Sequence, residues 1–313
     1  GSGPMKFKVW KSGEYVELVA NENYWKKRIL IDGVIIELYT VTEAGILALK
    51  KGEVDAYDDL PTEAVPSLLG IEQITVWEGL GVYNRWMSFN YRIYPNNVKK
   101  FRQAIDLAVD KKKILEQAYH GFGEIALEGY IPHRLTYWAN PKCAWPGLNL
   151  TDEERIARAN AMLDEIGFER GPDGVRVTPN GTRLEIPYKI FTTPSYVREA
   201  EIIRDSCEEI GIKVNLITME TETLVSLVYG GEAPLEWVWS CAGAPYGADP
   251  DFFTAESGHD PPDPWWNADA HGYFNDTLTS LLKAARREVD PEKRRALFFR
   301  AQEIFAEDVG VLL

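Results

Sequence analysis

Cysteine and histidine are scarce in this sequence, with three of the first and four of the second among 313 residues. The cysteines show no CxxC spacing, and an odd number forms no complete disulfide framework, although one pair is possible. The histidines are scattered and match no metal-binding motif such as HExxH. We therefore expect neither a metal nor a cofactor, and the disulfide state stays open. The residues concerned are Cys143, Cys207, Cys241, His120, His133, His259 and His271.

Positive charge is also in short supply. The chain has 34 Lys and Arg against 48 Asp and Glu, which gives a formal net charge of -14. Nucleic acids and anionic membrane surfaces both attract proteins through clustered Lys and Arg. We therefore expect no nucleic-acid or membrane-surface partner. The most basic run, Lys111–Lys113, lies inside a helical pattern and indicates a solvated helix face.

Long apolar runs, a signal peptide and an initiating methionine are all missing from the sequence. The apolar runs are far shorter than a membrane span requires. The opening Gly1-Ser-Gly-Pro4 resembles the interior of a longer protein, so we expect a fragment. In a fragment, the missing signal peptide says nothing about the compartment.

The apolar pattern predicts strands that alternate with helices, which is typical of an α/β fold. The second half predicts strand, helix, strand, helix, strand, an order that fits a sheet with right-handed crossovers. A polar hairpin is predicted over 175–182, and an irregular, aromatic-rich segment over 121–150. Strands are predicted at 5–10, 15–20, 34–39, 54–57, 74–77, 82–90, 184–191, 212–217 and 235–239. Helices are predicted at 42–49, 61–69, 97–118, 151–166, 195–210, 221–229, 275–288 and 291–306.

The stretch Trp237–Phe253 has an unusual composition. It contains two tryptophans, a tyrosine, two glycines, two prolines and two aspartates. Gly and Pro favour fixed turns, while aromatics beside carboxylates offer flat apolar faces next to hydrogen-bond acceptors. The stretch follows a predicted strand, and ligands of such sheets bind beyond the carboxyl ends of the strands. We predict a loop that lines a binding cleft; the alternative is a tight turn with core aromatics.

Short motifs spread over nearly the whole chain resemble, in their order, a known protein family. The similarity is to the solute-binding proteins of ABC importers, specifically the dipeptide/oligopeptide-binding group (bacterial extracellular solute-binding family 5). The motifs are Gly1-x-Gly3-Pro4 with Phe7, Asn21-x-x-Tyr24-Trp25, Gly52–Asp55, Phe89-Asn90, Asn97–Ile114, Gly129–Pro132, Ile210–Val214 and Asp290–Arg294.

The resemblance implies an α/β, two-lobed, periplasmic-binding-protein-like clamp (type II, cluster C) that closes on a solute and performs no chemistry on it. Residues 1–90 would form a partial first lobe with a hinge strand at its end. Residues 91–308 would form a nearly complete second lobe, and 309–313 the start of the return hinge strand. It further implies a monomer in the periplasm or at the cell surface that delivers cargo to an ABC permease.

One departure from the family pattern concerns the ligand. Peptide-binding members place an Asp shortly after the strand that here ends at Trp239, and that Asp binds the peptide amine. In this sequence the segment between Trp239 and Asp249 contains no carboxylate, and Tyr246 falls near the position of the Asp. A charged amine in a cleft needs a nearby anion. Ten tryptophans and fifteen tyrosines suit flat, hydroxyl-rich ligands, and some relatives bind oligosaccharides. We therefore predict binding of a short oligosaccharide; the alternative is a di- or oligopeptide held by Asp249 or Asp251.

The predicted site combines aromatic walls with a few polar groups. Sugar rings would stack on aromatic faces, and sugar hydroxyls would bond to a carboxylate, an amide and the backbone. The predicted ligand-binding residues are Trp239, Tyr246, Asp249, Trp86, Tyr83, Asn90, Trp265 and Trp266.

A glycoside hydrolase is the alternative from another class. It requires two carboxylates about 5–10 Å apart across a sugar cleft. Asp249 with Asp251 or Glu256 is the candidate pair, but neighbours in sequence rarely face each other across a bond. No nucleophile or base motif stands out either. We therefore expect no enzymatic activity.

Overall fold

The computed structural model describes residues 2–79, 81, 83–230, 237–243, 249–257 and 272–312. The internal contacts divide the chain into two units, Gly1–Trp77 and Glu78–Leu313. Among the described helices, none combines the length and the apolar character that a membrane crossing requires.

The first unit is built on a small antiparallel sheet in the order β1-β2-β3. The predicted hairpin is confirmed, and its turn contains Gly13 with a φ of 76°. The strands predicted at 54–57 and 74–77 are wrong, since both segments are turns or irregular and pair with no described strand. The elements are β1 (Met5–Lys11), β2 (Tyr15–Ala20), β3 (Gly33–Glu37), α1 (Thr42–Lys51) and a 3-10 helix (Thr62–Ser67).

A four-stranded sheet forms the centre of the second unit, in the order β4-β9-β7-β8. Strand β7 pairs in parallel with β8 and β9, while β4 runs antiparallel to β9. The predicted alternation of strands and helices is confirmed, with α5 and α6 as the connections. The elements are β4 (Tyr83–Phe89), β7 (Glu185–Phe191), α5 (Pro194–Glu209), β8 (Lys213–Met219), α6 (Thr221–Gly230) and β9 (Trp237–Gly243).

The remaining described helices pack around this sheet. The single helix predicted over 97–118 is wrong, because Val109 is extended and the Asp110 side chain caps a new helix by accepting from the Lys113 amide. The tip of the predicted polar hairpin is present, with Gly181 at a φ of 86° and a bridge between Val177 and Arg183. The elements are α2 (Lys99–Ala108), α3 (Lys111–Gln117), α4 (Asp152–Glu165), β5 (Glu169–Arg170), β6 (Arg176–Val177), α7 (Asp251–Ser257), α8 (Asp276–Arg287) and α9 (Pro291–Asp308).

The second unit contains two large apolar clusters. The first lies between the sheet and the helices α2, α4 and α5, and includes Phe101, Tyr188 and Trp237. The second joins α8 and α9 to the irregular segment 121–150, and includes Trp86 and Tyr130. Long structured segments of this kind usually either serve function or cover a core. This aromatic-rich segment covers a core.

The unusual stretch Trp237–Phe253 is more regular than the predicted loop. Its first seven residues are β9 and its last three belong to α7, while 244–248 lie outside the described residues. Trp237 is fully buried, packs edge to face on Phe89 and Tyr188, and donates its indole N–H to Asn96 Oδ1 at 3.0 Å. The alternative of core aromatics therefore describes Trp237.

Candidate ligand-binding site

A cavity of about 210 Å³ lies at the carboxyl edge of the sheet in the second unit. Tyr83, the first residue of β4, pairs with Gly243, the last residue of β9, so the cavity wall at Tyr83–Arg85 lies where β9 ends. Glu199 and Ile203 of α5, the helix that follows β7, form another wall. Sheets of this kind bind ligands at that edge.

Arg85 is an exposed residue that lines this cavity, and its guanidinium contacts two tyrosine rings. Its Cζ lies 5.1 Å from the Tyr119 ring centroid and 4.5 Å from the Tyr196 ring centroid. The Tyr119 hydroxyl donates to the buried carboxylate of Glu199. Burial and the negative charge of Glu199 raise the pKa of Tyr119, so this hydroxyl remains a donor at neutral pH.

Lys111 also lines the cavity, and its environment contradicts the solvated face predicted for the Lys111–Lys113 run. Its side chain is 6% exposed, and Nζ donates to Asp106 Oδ1 at 2.7 Å and to the Glu128 carboxylate. Nζ also lies 5.5 Å from the Trp145 ring centroid. Two buried carboxyl groups thus accept hydrogen bonds from one ammonium, because a buried charge requires paired and hydrogen-bonded partners. Burial, together with the charge of Asp106, raises the pKa of Glu128 to about 8.

A histidine and a glutamate in the cavity lining form a second, partly solvated pair. His133 Nδ1 lies 2.7 Å from Glu124 Oε1, with both side chains partly exposed. Groups of three or more His, Cys, Asp or Glu side chains suited to a metal ion do not occur in the described part of the chain.

The carboxylates predicted to hold the ligand are engaged by arginines. Arg294 donates from Nη1 and Nη2 to the two oxygens of Asp249, both at 2.8 Å. Arg286 Nε donates to Asp251 Oδ1 at 2.7 Å. The hydrogen bonds from Arg294 lower the pKa of Asp249, which therefore stays ionised at neutral pH. A ligand amine or hydroxyl would have to compete with Arg294 for Asp249.

The other predicted site residues lie in different environments. Tyr83 is 62% exposed and lines the cavity. Trp86 is 1% exposed, because it packs on Tyr130 in the core and donates its indole N–H to Ser88. Asn90 is buried and its side chain accepts from the Arg92 amide, so it stabilises a turn.

Trp239 lies in β9, opposite Met87 in the strand register. Tyr246, Trp265 and Trp266 lie outside the described residues. Of the predicted ligand-binding residues that the structure describes, Tyr83 is the one placed at the cavity. Their roles in binding remain predictions.

Sequence reasoning missed Arg85, Tyr119 and Glu199. In β4 the exposed residues Tyr83 and Arg85 alternate with buried neighbours, so the period of two could have placed Arg85 on the side of Tyr83. Tyr119 lies in the turn after α3 and Glu199 lies in α5, and no spacing in the sequence joins them to β4.

A family model described as "Bacterial extracellular solute-binding proteins, family 5 Middle" matches residues 1–275 of this chain. The oligopeptide-binding protein AppA of Bacillus subtilis is 28% identical over 229 residues, which are 72% of this chain and 40% of AppA. The di/tripeptide-binding protein 1 of Pseudomonas aeruginosa is 26% identical over an alignment 332 positions long, which covers 99% of this chain and 54% of that protein. The chain thus spans about half the length of these relatives.

Solved structures agree with the sequence comparisons. A periplasmic oligopeptide-binding protein of an oligopeptide ABC transporter from Thermotoga maritima superposes with a TM-score of 0.83 at 21% identity, over 99% of this chain and 60% of that one. The same protein, solved with bound mannohexaose, gives a TM-score of 0.74 at 21% identity over the same shares. This likeness shows the α/β fold of the two-lobed periplasmic binding proteins, and the match to the family model shows that the chain belongs to family 5 of the bacterial extracellular solute-binding proteins.

Proposed function

We propose that this chain is part of the solute-binding protein of an ABC importer and that its cargo is a short peptide. The observation that carries this proposal is the family match over residues 1–275, together with relatives named as oligopeptide- and di/tripeptide-binding proteins. The proposal adopts the alternative of the sequence analysis in place of the oligosaccharide.

The charges at the cavity support a peptide. Arg85 brings a positive charge to the lining, and Glu199 and Glu124 bring carboxylates. A peptide has an ammonium and a carboxylate at its ends, whereas a neutral oligosaccharide has neither. Complementary charges chiefly determine which partner is accepted. A cavity with both signs of charge therefore suits a zwitterionic ligand.

The lack of a carboxylate between Trp239 and Asp249 favours a sugar only if the segment after β9 supplies all the charges of the cavity. Glu199 from α5 and Glu124 from the segment after α3 supply carboxylates to the same edge of the sheet. A peptide amine in this cavity would therefore lie near the carboxylates of Glu199, which accepts from Tyr119, and of Glu124, which pairs with His133.

An oligosaccharide remains the second candidate because of one specific observation. The similar protein from Thermotoga maritima has been solved with mannohexaose bound. The exposed ring of Tyr83 at the cavity offers the flat face that a sugar ring requires.

Chemistry on the ligand is not part of the proposal. The carboxylates Asp249 and Asp251, suggested for a glycoside hydrolase, each bind an arginine and sit two residues apart in one turn, with the Asp251 amide donating to Asp249. The protein would act outside the cytoplasm and pass its cargo to a membrane permease, in keeping with the extracellular family to which the chain belongs.

Titration calorimetry on the protein in its full natural length tests this function. The titrants are pools of random tripeptides and pentapeptides, and separately cello-, xylo- and manno-oligosaccharides; a mixture of free amino acids is the control. We expect saturable heat with a peptide pool, and chromatography should recover the peptides uncleaved. Heat with a sugar and none with any peptide would refute peptide binding, and cleaved ligand would refute a purely binding role.

A further inference from the structure

We propose that the cavity selects peptides that carry a large apolar side chain, of the size of leucine or phenylalanine, and that Phe122 is part of the wall that contacts this side chain. The inference rests on the proposed function and names the class of peptide that the same cavity accepts. It concerns a side chain of the ligand, so it is independent of how the two ends of the peptide are bound.

One wall of the cavity is apolar and comes from α3 and the segment that follows it. Five apolar residues of this wall are partly buried, so each keeps part of its surface exposed beside the cavity. They are Ile114, Leu115, Phe122, Ile125 and Ala126. An apolar ligand group that contacts this wall removes apolar surface from water on both sides, which favours binding.

The turn after α3 fixes the backbone at Phe122. The glycines on either side, Gly121 and Gly123, have φ values of 80° and 118°, which residues with a Cβ rarely adopt. The Gly121 amide donates to the Leu115 carbonyl at 2.9 Å. The Phe122 amide donates to the Tyr119 carbonyl, also at 2.9 Å. Because this turn is ordered before a ligand arrives, less conformational entropy is lost on binding.

Two residues of the wall are supported from behind by the apolar clusters of the second unit. Ile114 packs against the cluster between the sheet and the helices α2, α4 and α5. Ala126 packs against the cluster that joins α8 and α9 to the segment 121–150. Close-packed interiors resist deformation. The wall should therefore keep its shape and discriminate between ligand side chains by their size.

The volume of the cavity suits one large side chain. It is about 210 Å³. An apolar cavity of about 150 Å³ is large enough to bind benzene. A leucyl or phenyl side chain of the ligand therefore fits into this cavity.

The cation of α3 does not favour a charged ligand side chain at this wall. Lys111 precedes Ile114 and Leu115 by three and four residues, so the three share one face of the helix. Its ammonium already donates to Asp106 and Glu128, so its charge is balanced within the protein. A charged side chain placed on the apolar wall would lose its water without a compensating partner there.

Calorimetry on the full-length protein tests the inference with alanine pentapeptides in which one position at a time carries a test residue. The test residues are leucine, phenylalanine, asparagine, glutamate and lysine, and the all-alanine peptide is the reference. Asparagine is the polar match for leucine, because the two side chains have nearly the same shape. We expect one position at which leucine and phenylalanine raise the affinity about 10- to 100-fold, the range for burying one large apolar side chain. Asparagine, glutamate and lysine should give no such gain at that position.

Variants separate selection from folding. In Phe122→Ala the gain from leucine should fall about 3- to 10-fold, because the ligand loses the apolar surface of one wall residue, while the affinity of the all-alanine peptide should change little. Phe122→Leu should keep most of the gain, since the wall stays apolar. Phe299→Ala is the matched control, because Phe299 is a partly buried phenylalanine of α9 outside the described cavity lining.

The outcomes distinguish this inference from the proposed function. Equal binding of the leucine, asparagine and all-alanine peptides at every position would overturn the apolar selection and leave peptide binding intact, and this comparison needs no variant to fold. In Phe122→Ala, an unchanged gain from leucine, or equal weakening of the leucine and all-alanine peptides, would overturn the role of Phe122. A protein that binds neither these peptides nor a pool of random pentapeptides contradicts the proposed function, and with it the inference.

Discussion

Glu128 shares a buried site with Asp106 and Lys111, so two carboxylates compete for a single ammonium. Burial together with the neighbouring negative charge raises the pKa of Glu128 from 4.5 to about 8. Between these two values the folded protein keeps a proton on Glu128 that the unfolded chain releases. Because the folded state binds the extra proton, its stability must fall as the pH rises through this window.

Glu128→Gln tests this reasoning, because glutamine is neutral at every pH. In the unmodified protein we expect the free energy of unfolding to fall between pH 6 and pH 8, with a slope of at most about 1.4 kcal/mol per pH unit for one proton. In the variant that slope should disappear. Urea unfolding at several pH values measures both.

Glu307→Gln is the control, because Glu307 is an exposed carboxylate that pairs with Lys99 at the surface. This variant should keep the pH slope of the unmodified protein. Equal slopes in Glu128→Gln and the unmodified protein would show that Glu128 holds no proton in this window.

The positions of single charged residues were the least predictable from the sequence. The Lys111–Lys113 run indicated a solvated face. Lys111 is nevertheless buried, and it donates to Asp106, five residues before it, and to Glu128 in an irregular segment. Asp249 was predicted to face a ligand, yet it pairs with Arg294. In each case the partner is brought in by tertiary structure, which a local pattern does not contain.

Helix α4 shows how well the local sequence determines an element. The Thr151 side chain accepts from the Glu154 amide, and the Glu154 side chain accepts from the Thr151 amide. This capping box was predicted from Thr151-Asp-Glu-Glu154, because all of its partners lie within one turn.

Thr151→Ala should destabilise the second unit by about 1 kcal/mol, since the Glu154 amide at the start of α4 loses its acceptor. Thr193→Ala is the matched control. Thr193 occupies the same position before α5, but its side chain makes no capping hydrogen bond, so its removal should cost much less. Urea unfolding of the two variants under the same conditions gives the comparison. Equal losses would contradict a capping role for Thr151.

Elements whose limits depend on distant partners were predicted less well. Strand β9 continues beyond Trp239 to Gly243, because β4 pairs with it along its whole length. The long predicted helix is divided at Val109 and Asp110, where an apolar pattern that continues across both halves hides the break. Periodicity therefore gave the type of these elements, while pairing and capping determined their ends.

The two units of the whole molecule differ greatly in the apolar cores that they contain. Both large clusters consist of residues from 86 to 312. In the first unit, the buried hydrophobic side chains among the described residues are Ile46, Ala48, Val65 and Leu68, while Trp10 is 63% and Leu30 is 93% exposed. Burial of apolar surface is the main source of folding free energy. The second unit should therefore be able to fold by itself, whereas the first should not.

A fragment of residues 78–313 should therefore fold by itself, with one cooperative transition in urea and a near-ultraviolet circular dichroism spectrum of packed aromatic rings. A fragment of residues 1–77 should show neither. A non-cooperative transition in the longer fragment, or a cooperative one in the shorter, would contradict this division of the stabilising contacts.

At this scale the order of short motifs was enough to predict the family and the α/β fold, because both depend on the whole chain. The cavity was not predictable in the same way. Arg85 lies in a strand, Tyr119 in the turn after α3 and Glu199 in α5, and only the packing of those segments brings the three together.

We infer that a peptide binds at the carboxyl edge of this sheet, and a crystal structure of the full-length protein with bound cargo tests that inference. We predict electron density for a short peptide that contacts the cavity between β4, α3 and α5. Density for an oligosaccharide would refute a peptide as the cargo, and density for a peptide that leaves Tyr83, Arg85 and Glu199 untouched would refute binding at this edge.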